Sequence, residues 1–240
     1  MLSIRNLTKH YKGSQKGITG LSLEIKPGDI YAFIGHNGAG KTTTLKCIAG
    51  IHDWDEGEIW IDGHSMQQEP LVCKQHMAYI PDSPDIFEYL TGIQYLNLIA
   101  DIYEVSAEDR QQRIRTYGDA FEITEALGDL ISSYSHGMKQ KLVILSALIH
   151  APRLLVLDEP FVGLDPKATV LLKEVMRKLC QEGGAIFFST HVLDVAEKLC
   201  NKVAIIKEGH LIAAGSMEDI VKPGESLESI FMEVAEDEKA

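Results

Sequence analysis

The stretch from Ile30 to Gly50 constrains the fold of this chain more than any other part of the sequence. Its first five residues, Ile30 to Ile34, are apolar and rich in residues that favour β-strands. A glycine-rich loop follows, and the chain then continues into a helical pattern. The loop residues are Gly35, His36, Asn37, Gly38, Ala39, Gly40, Lys41, Thr42 and Thr43. A Gly-x-x-x-x-Gly-Lys-Thr spacing between a strand and a helix predicts a phosphate-binding loop.

The residue types of this loop match the chemistry of phosphate. Glycines let the backbone approach the phosphate oxygens, so that several N–H groups point inward as an anion site. The N-terminus of the following helix adds its positive end. Lys41 can reach the β- and γ-phosphates, and the Thr42 hydroxyl suits Mg²⁺. The alternative is a glycine-rich turn with an incidental lysine. It is disfavoured because the glycines, the Lys-Thr pair and the flanking pattern occur together.

Composition narrows the remaining classes of protein. With 240 residues, 45% of them hydrophobic, the chain can bury a sizeable core. The net charge of −12 argues against a nucleic-acid-binding protein, which is usually basic. The four cysteines have no metal-ligand spacing, and we interpret them as reduced core thiols. No apolar run is long enough to span a bilayer. If the protein works at a membrane, we expect another chain to supply the transmembrane part.

Hydrophobic periodicity indicates one domain over residues 1–240, made of three kinds of segment. The first segment is rich in strands, predicted at Leu2–Tyr11, Leu21–Ile25, Ile30–Ile34 and Glu58–Ile61. Residues from about 82 to 150 have a helical character, with helices predicted at Thr91–Tyr103, Ala107–Phe121 and Gly137–Ile149. Strands and helices alternate again from Arg153, and residues 225–240 form an amphipathic and then acidic tail. The pattern predicts an α/β core interrupted by a helical subdomain.

A pair of carboxylates follows a second apolar strand. Residues Arg153 to Leu157 predict a buried strand that ends at Asp158 and Glu159, and ligands of open α/β sheets bind at such carboxyl ends. Asp158 would hold Mg²⁺, directly or through water. Glu159 would orient or deprotonate an attacking water molecule. The alternative, a solvated acidic turn, is disfavoured beside a phosphate loop.

A histidine follows a third apolar strand, which we predict from Ala185 to Ser189. If this strand lies in the same sheet, His191 could contact a γ-phosphate. A structural or merely exposed histidine is an equally good interpretation of its position.

Together with a segment that lies between them, the phosphate loop and the carboxylate pair resemble the motifs of the ATP-binding subunits of ABC (ATP-binding cassette) transporters. This resemblance covers essentially the whole chain. Residues 134–140, Tyr-Ser-His-Gly-Met-Lys-Gln, resemble the Leu-Ser-Gly-Gly-Gln signature of that family. Ser135 and Gly137 match the serine and the second glycine. The other three positions differ and hold Tyr134, His136 and Met138. This Ser-x-Gly-Met-Lys-Gln form is similar to simple two-component exporters of the ABC-2 type.

The resemblance implies roles for individual residues. Tyr11 stands where the family stacks an aromatic ring on adenine, and His191 corresponds to the switch histidine at the γ-phosphate. Asp165, in a segment similar to the D-loop, would face a partner subunit. Asp82 occupies the position of a glutamine that usually contacts Mg²⁺ and the attacking water. An acidic residue there also occurs among ABC-2-type exporters, and it leaves open whether Asp82 touches the metal.

The resemblance also implies an architecture and partners. The expected fold is a phosphate-loop NTPase core with an N-terminal antiparallel β subdomain and an inserted α-helical subdomain. The expected function is ATP hydrolysis that powers a transporter, with ATP and Mg²⁺ as cofactors. Two subunits, as a homodimer or a heterodimer, would enclose two ATP molecules, and each ATP would also meet Ser135 and Gly137 of the opposite subunit. The partner would be an integral membrane permease, bound at the cytoplasmic face of the membrane.

Two other functions remain as alternatives. A soluble ABC-type ATPase could act on a ribosome or on DNA, but such proteins more often carry two cassettes or a long insertion, and the acidic charge weighs against them. A small-molecule kinase would also need a phosphate loop. It is disfavoured by the signature-like segment, the Asp158-Glu159 pair and His191.

Overall fold

Two β-sheets and nine helices are described in a computed structural model that covers residues 1–11, 13, 16–83 and 86–236. The strands are β1 (Leu2–His10), β2 (Gly17–Ile25), β3 (Ile30–Ile34), β4 (Glu56–Ile61), β5 (His64–Ser65), β6 (Met77–Ile80), β7 (Leu154–Asp158), β8 (Ala185–Thr190), β9 (Lys202–Lys207) and β10 (His210–Ser216). The helices are α1 (Lys41–Ile48), α2 (Pro70–His76), α3 (Gly92–Ile102), α4 (Ala107–Ala120), α5 (His136–Leu148), α6 (Pro166–Gln181), α7 (Leu193–Leu199), α8 (Met217–Ile220) and α9 (Leu227–Glu236). Short 3₁₀ turns lie at Thr124–Gly128 and Ile131–Ser133.

The larger sheet has the order β10-β9-β3-β8-β7-β6, and only β10 runs antiparallel to its neighbour. Every residue of β3, β7 and β8 is buried, which explains why β3, the first four residues of β7 and the first four of β8 are apolar runs in the sequence. Because β3, β8 and β7 are parallel neighbours, their carboxyl ends lie side by side. The phosphate loop, His191 and the Asp158-Glu159 pair follow those three ends, so the sheet order brings them to one edge.

The smaller sheet is antiparallel and has the order β2-β1-β4-β5. It shares a core with one face of β3, where Tyr31 and Phe33 pack with α1 residues such as Leu45. The opposite face of β3, including Ala32 and Ile34, belongs to a second core that contains the inserted helices. The strand that carries the phosphate loop is therefore packed on both faces.

Between β6 and β7 the chain forms α3, α4, both 3₁₀ turns and α5. Thr91 begins this helical part with a capping box, in which its hydroxyl accepts the Gln94 N–H and the Gln94 side chain accepts the Thr91 N–H. Buried apolar residues such as Leu96 and Phe121 join it to the larger core. The predicted fold class, an α/β core with an N-terminal antiparallel sheet and an inserted helical subdomain, is confirmed.

Some elements were not predicted from the sequence. The predictions omitted α2, α8, β5 and β6, and they began the second strand at Leu21, whereas β2 begins at Gly17. α2 has seven residues, of which only Cys73 is buried, so it carries almost no amphipathic pattern. β6 has four residues, and its place at the edge of the parallel sheet depends on pairing with β7, far along the chain.

The structure describes most of the predicted C-terminal tail and all four cysteines. The amphipathic tail contains α9, and Leu227 at its start is fully buried. The acidic end predicted for residues 237–240 lies outside the described residues. All four cysteines are free and buried, and burial raises the pKa of each thiol. None of the helices in the described ranges combines the length and apolar composition of a bilayer-spanning segment.

Candidate functional site

The phosphate loop connects β3 to α1 and depends on glycine at two positions. A Cβ on Gly35 would lie 2.5 Å from the carbonyl oxygen of Ile206, so no larger residue fits against β9. Gly40, the N-cap of α1, has φ 111°, a left-handed conformation that disfavours residues with a Cβ. A Cβ there would also lie 2.8 Å from the Ile18 side chain. The loop is therefore held tightly between the two sheets.

Lys41 is the first residue of α1 and its side chain is buried inside the loop. Its ammonium donates hydrogen bonds to the carbonyl oxygens of Gly35, at 2.6 Å, and His36, at 3.3 Å. Burial lowers the pKa of Lys41, while the nearby carboxylates of Glu159 and Asp158 act in the opposite direction. The ammonium is thus placed between the loop backbone and the acidic pair.

Asp158 ends β7 with its side chain buried, and Ser189 on the neighbouring strand β8 holds it. The Ser189 hydroxyl donates to Asp158 Oδ1 at 2.5 Å and accepts the backbone N–H of Glu159 at 3.0 Å. One buried hydroxyl therefore fixes both the carboxylate and the turn that follows it. Sequence reasoning missed Ser189, although a serine near the end of an apolar strand that points at the same edge could have indicated it.

Glu159 turns the chain sharply after β7. Its φ of 48° is in the left-handed region, which is uncommon for a residue with a side chain and clusters at functional sites. Its carboxylate accepts the backbone N–H of His191 at 3.3 Å and lies 2.9 Å from His191 Nδ1. The Glu159 side chain is 14% exposed and that of His191 60% exposed. The structure therefore pairs the predicted base with the predicted switch histidine.

A cavity of about 440 Å³ lies over the phosphate loop and brings most of the predicted residues together. The predicted residues that line it are Tyr11, His36, Asn37, Gly38, Gly40, Lys41, Thr42, Thr43, Asp82, Asp158 and Glu159. Lys16 and Gly17 line it as well and were not predicted. The Tyr11 hydroxyl lies 3.3 Å from Thr43 Oγ1, so the ring lies beside the start of α1.

A second cavity of about 460 Å³ adjoins the first along the loop. Its lining includes Gly35, His36, Asp82, Glu159 and His191. Phe231 of α9 also lines it, with its ring centroid 4.6 Å from that of His36. No sequence pattern near the loop pointed to Phe231. Ala39, the remaining loop residue, lines a third and larger opening, which His36 also lines.

Besides Ala39, three predicted residues lie outside both of these cavities. Ser135 is the N-cap of α5, and its hydroxyl accepts the Met138 N–H at 3.3 Å. Gly137 approaches the Gly163 carbonyl so closely that an added Cβ would be 3.0 Å from it.

Asp165 is the third of these residues. It caps α6 by accepting the Ala168 N–H at 2.8 Å. Its carboxylate also lies 2.7 Å from the Lys141 ammonium, whose hydrogen bond lowers the Asp165 pKa. Asp165 therefore already has partners within its own chain, on α5 and α6.

Comparisons with known proteins agree with this geometry. Residues 18–162 match the family described as ABC transporter. The ABC-type transporter ATP-binding protein EcsA of Bacillus subtilis (strain 168) is 34% identical over 220 residues, 92% of this chain and 89% of EcsA. The linearmycin resistance ATP-binding protein LnrL of the same organism is 31% identical over 92% of this chain and 70% of its own length.

A solved structure described as the ATP-binding subunit of an ABC transporter superposes with a TM-score of 0.93 at 33% identity, covering 98% of this chain and 99% of that one. Sequence, fold and site geometry thus lead to the same assignment. The chain belongs to the ABC transporter family and is an ATP-binding ATPase subunit of that family.

Proposed function

We propose that this protein hydrolyses ATP to power a membrane exporter, and that it does so as a homodimer with two shared sites. One observation carries this proposal. The phosphate loop, Lys41 and both acidic residues line one cavity, whereas Ser135 and Gly137 lie outside it. The chain thus holds one complete half of an ATP site and displays the other half elsewhere on its surface.

The residues of the cavity fit ATP with Mg²⁺. Loop N–H groups, the α1 N-terminus and the Lys41 ammonium supply positive potential for a triphosphate. Thr42 is exposed and Asp158 presents a buried carboxylate, and both are oxygen donors of the kind that Mg²⁺ prefers. A bound Mg²⁺ would neutralise charge on the phosphates. Asp82 lines the same cavity and would add a further carboxylate there.

Hydrolysis then needs positioning and one proton acceptor. Lys41 would hold the phosphates against the loop, and phosphoryl transfer depends mainly on such positioning and charge stabilisation. Glu159 would accept a proton from the attacking water. His191 holds the Glu159 carboxylate through two contacts and would also stabilise the γ-phosphate. The Tyr11 ring, beside Thr43, would support the adenine.

A second copy of the chain would complete each site. Ser135 and Gly137 at the start of α5 would meet the γ-phosphate bound by the opposite subunit, and Asp165 would lie at the same interface. A homodimer is favoured because the catalytic positions of this chain are all filled. Pairing with a different ATPase subunit is the outcome that co-purification from cells would reveal.

The helical subdomain would receive the permease at the cytoplasmic face of the membrane. Phe87 and Tyr89 are exposed large side chains near Asp82, as a docking surface requires. Between them, Glu88 forms an ion pair with Lys139 of α5 and its carbonyl accepts the Ser132 N–H at 3.0 Å. Movement of the docking segment would therefore reach the helix that begins at the signature.

Export as the direction of transport rests on similarity. The Ser135–Gln140 segment resembles that of two-component exporters, and the relative LnrL carries resistance in its name. Recovery of the protein with a polytopic membrane protein after detergent extraction would support the proposed role in membrane transport. Recovery with ribosomes would contradict it.

The substitution Glu159→Gln tests the assignment of the base. It keeps the size of the side chain and removes its basicity, so we expect hydrolysis to fall by at least about a hundredfold. With ATP present, the variant should persist as a dimer in size-exclusion chromatography with light scattering. Glu174→Gln, on the exposed face of α6, serves as the matched control. Undiminished phosphate release by Glu159→Gln would refute the assignment.

A further inference from the structure

The C-terminal helix α9 contacts the phosphate loop directly. The Phe231 ring packs on the His36 ring with 4.6 Å between centroids and 48° between planes, a favourable tilted arrangement. His36 belongs to the loop itself, and its carbonyl oxygen accepts a hydrogen bond from the Lys41 ammonium at 3.3 Å. His36 therefore contacts the Lys41 ammonium through its backbone and an aromatic ring of the tail through its side chain.

α9 is anchored close to the catalytic edge of the sheet. Leu227 at its start is fully buried, and its N–H donates to the Glu197 carboxylate at 3.0 Å. Glu197 lies on α7, which begins two residues after His191. Ile230 and Phe231 pack against the larger core. The helix thus has a fixed position, and Phe231 shares one cavity with His191 and Glu159.

We propose that Phe231 is a positioning residue that holds the phosphate loop, through His36, in the conformation that binds nucleotide. A loop that is already ordered loses less conformational freedom when it closes on phosphates, so the contact raises affinity without touching the reacting atoms. The expected signature is a change in KM and in nucleotide affinity with little change in kcat. The proposal rests on ATP binding at this loop.

Phe231→Ala tests the proposal in the full-length protein. Loss of an aromatic pair should raise the KM for ATP, and the Kd for a non-hydrolysable ATP analogue, by about three- to tenfold. Phe231→Tyr keeps the ring and should retain wild-type values. Met232→Ala, at an exposed neighbouring position on the same helix, is the matched control and should also be unchanged.

A double substitution distinguishes positioning from a general effect of the tail. In a His36→Ala background, Phe231→Ala should cause no further loss of affinity, because the two residues act through one contact. If Phe231→Ala does not fold, His36→Ala, which leaves α9 intact, must by itself raise KM. An unchanged or lower KM in Phe231→Ala, or full additivity in the double variant, would overturn the proposal. Lys41→Ala tests ATP binding at the loop separately, so a failure of the Phe231 inference can be told from a failure of the site.

Discussion

Two helices of this protein begin where phosphate chemistry is expected, and their N-termini differ. The N-cap of α1 is Gly40, which has no side chain to cap the helix and lines the same cavity as Lys41. The N-cap of α5 is Ser135, whose hydroxyl accepts the Met138 N–H, and Gly137 in the first turn lies close to Gly163 of the same chain. The N-terminus of α1 shares its cavity with the Lys41 ammonium and with the carboxylates of Asp158 and Glu159. At the N-terminus of α5, Lys139 and Lys141 are already paired with Glu88 and Asp165 of the same chain.

Under the proposed function, this difference corresponds to the two halves of an ATP site, one at the phosphate loop and one at the signature. The phosphate loop is formed by consecutive residues. The parallel order of β3, β8 and β7 places the acidic pair and His191 beside it. The signature lies on the inserted helical subdomain, at a helix start that lines neither cavity around the loop. In the proposed homodimer, the two N-termini that serve one phosphate group would therefore come from different copies of the chain.

Among substitutions at these two helix N-termini, removal of the Lys41 ammonium should reduce ATP hydrolysis the most. In Lys41→Ala the cavity would keep the Asp158 and Glu159 carboxylates without their cation, so a triphosphate would be repelled. We expect hydrolysis to fall about 10²- to 10³-fold and binding of an ATP analogue to be lost. Lys46→Ala, in the last turn of the same helix, should remain active. Near-normal turnover in Lys41→Ala would show that the loop is not the phosphate site.

Removal of the Ser135 hydroxyl, in the signature, should reduce hydrolysis less and should not affect binding at the loop. Ser135→Ala should leave analogue binding to the loop intact while hydrolysis falls by about tenfold, because one hydrogen bond to a charged group is lost. Ser106→Ala is a matched control, since Ser106 caps α4 by the same kind of bond at 3.1 Å. Both variants should lose about 1 kcal/mol in the free energy of unfolding, measured by denaturant titration. Equal losses of activity in the two variants would assign Ser135 to capping alone.

The fold class and the centre of the site could be predicted because their determinants are local. Strand, loop and helix are contiguous from Ile30 to Ile48, and β7 ends directly in its two carboxylates. Two residues that act across elements, Ser189 and Phe231, were not predicted. Ser189 reaches Asp158 only because β8 pairs with β7, and Phe231 reaches His36 only because α9 folds back onto the loop.

The strength of a local pattern also decided which secondary-structure elements could be predicted. β3 is apolar throughout and β7 is apolar up to Asp158, so both stand out in the sequence. The short β6 and the weakly amphipathic α2 owe their conformation to tertiary pairing and packing, which periodicity does not record.

Mixing two inactive variants tests the shared site most directly. One variant carries Lys41→Ala and the other carries Ser135→Arg, which blocks the signature by size and charge. In a mixed dimer, one of the two sites combines the intact loop of one subunit with the intact signature of the other. Random pairing should therefore restore about a quarter of the wild-type sites, seen as steady-state phosphate release. A mixture as inactive as its components would contradict the account, because it would mean that each chain uses its own loop and its own signature.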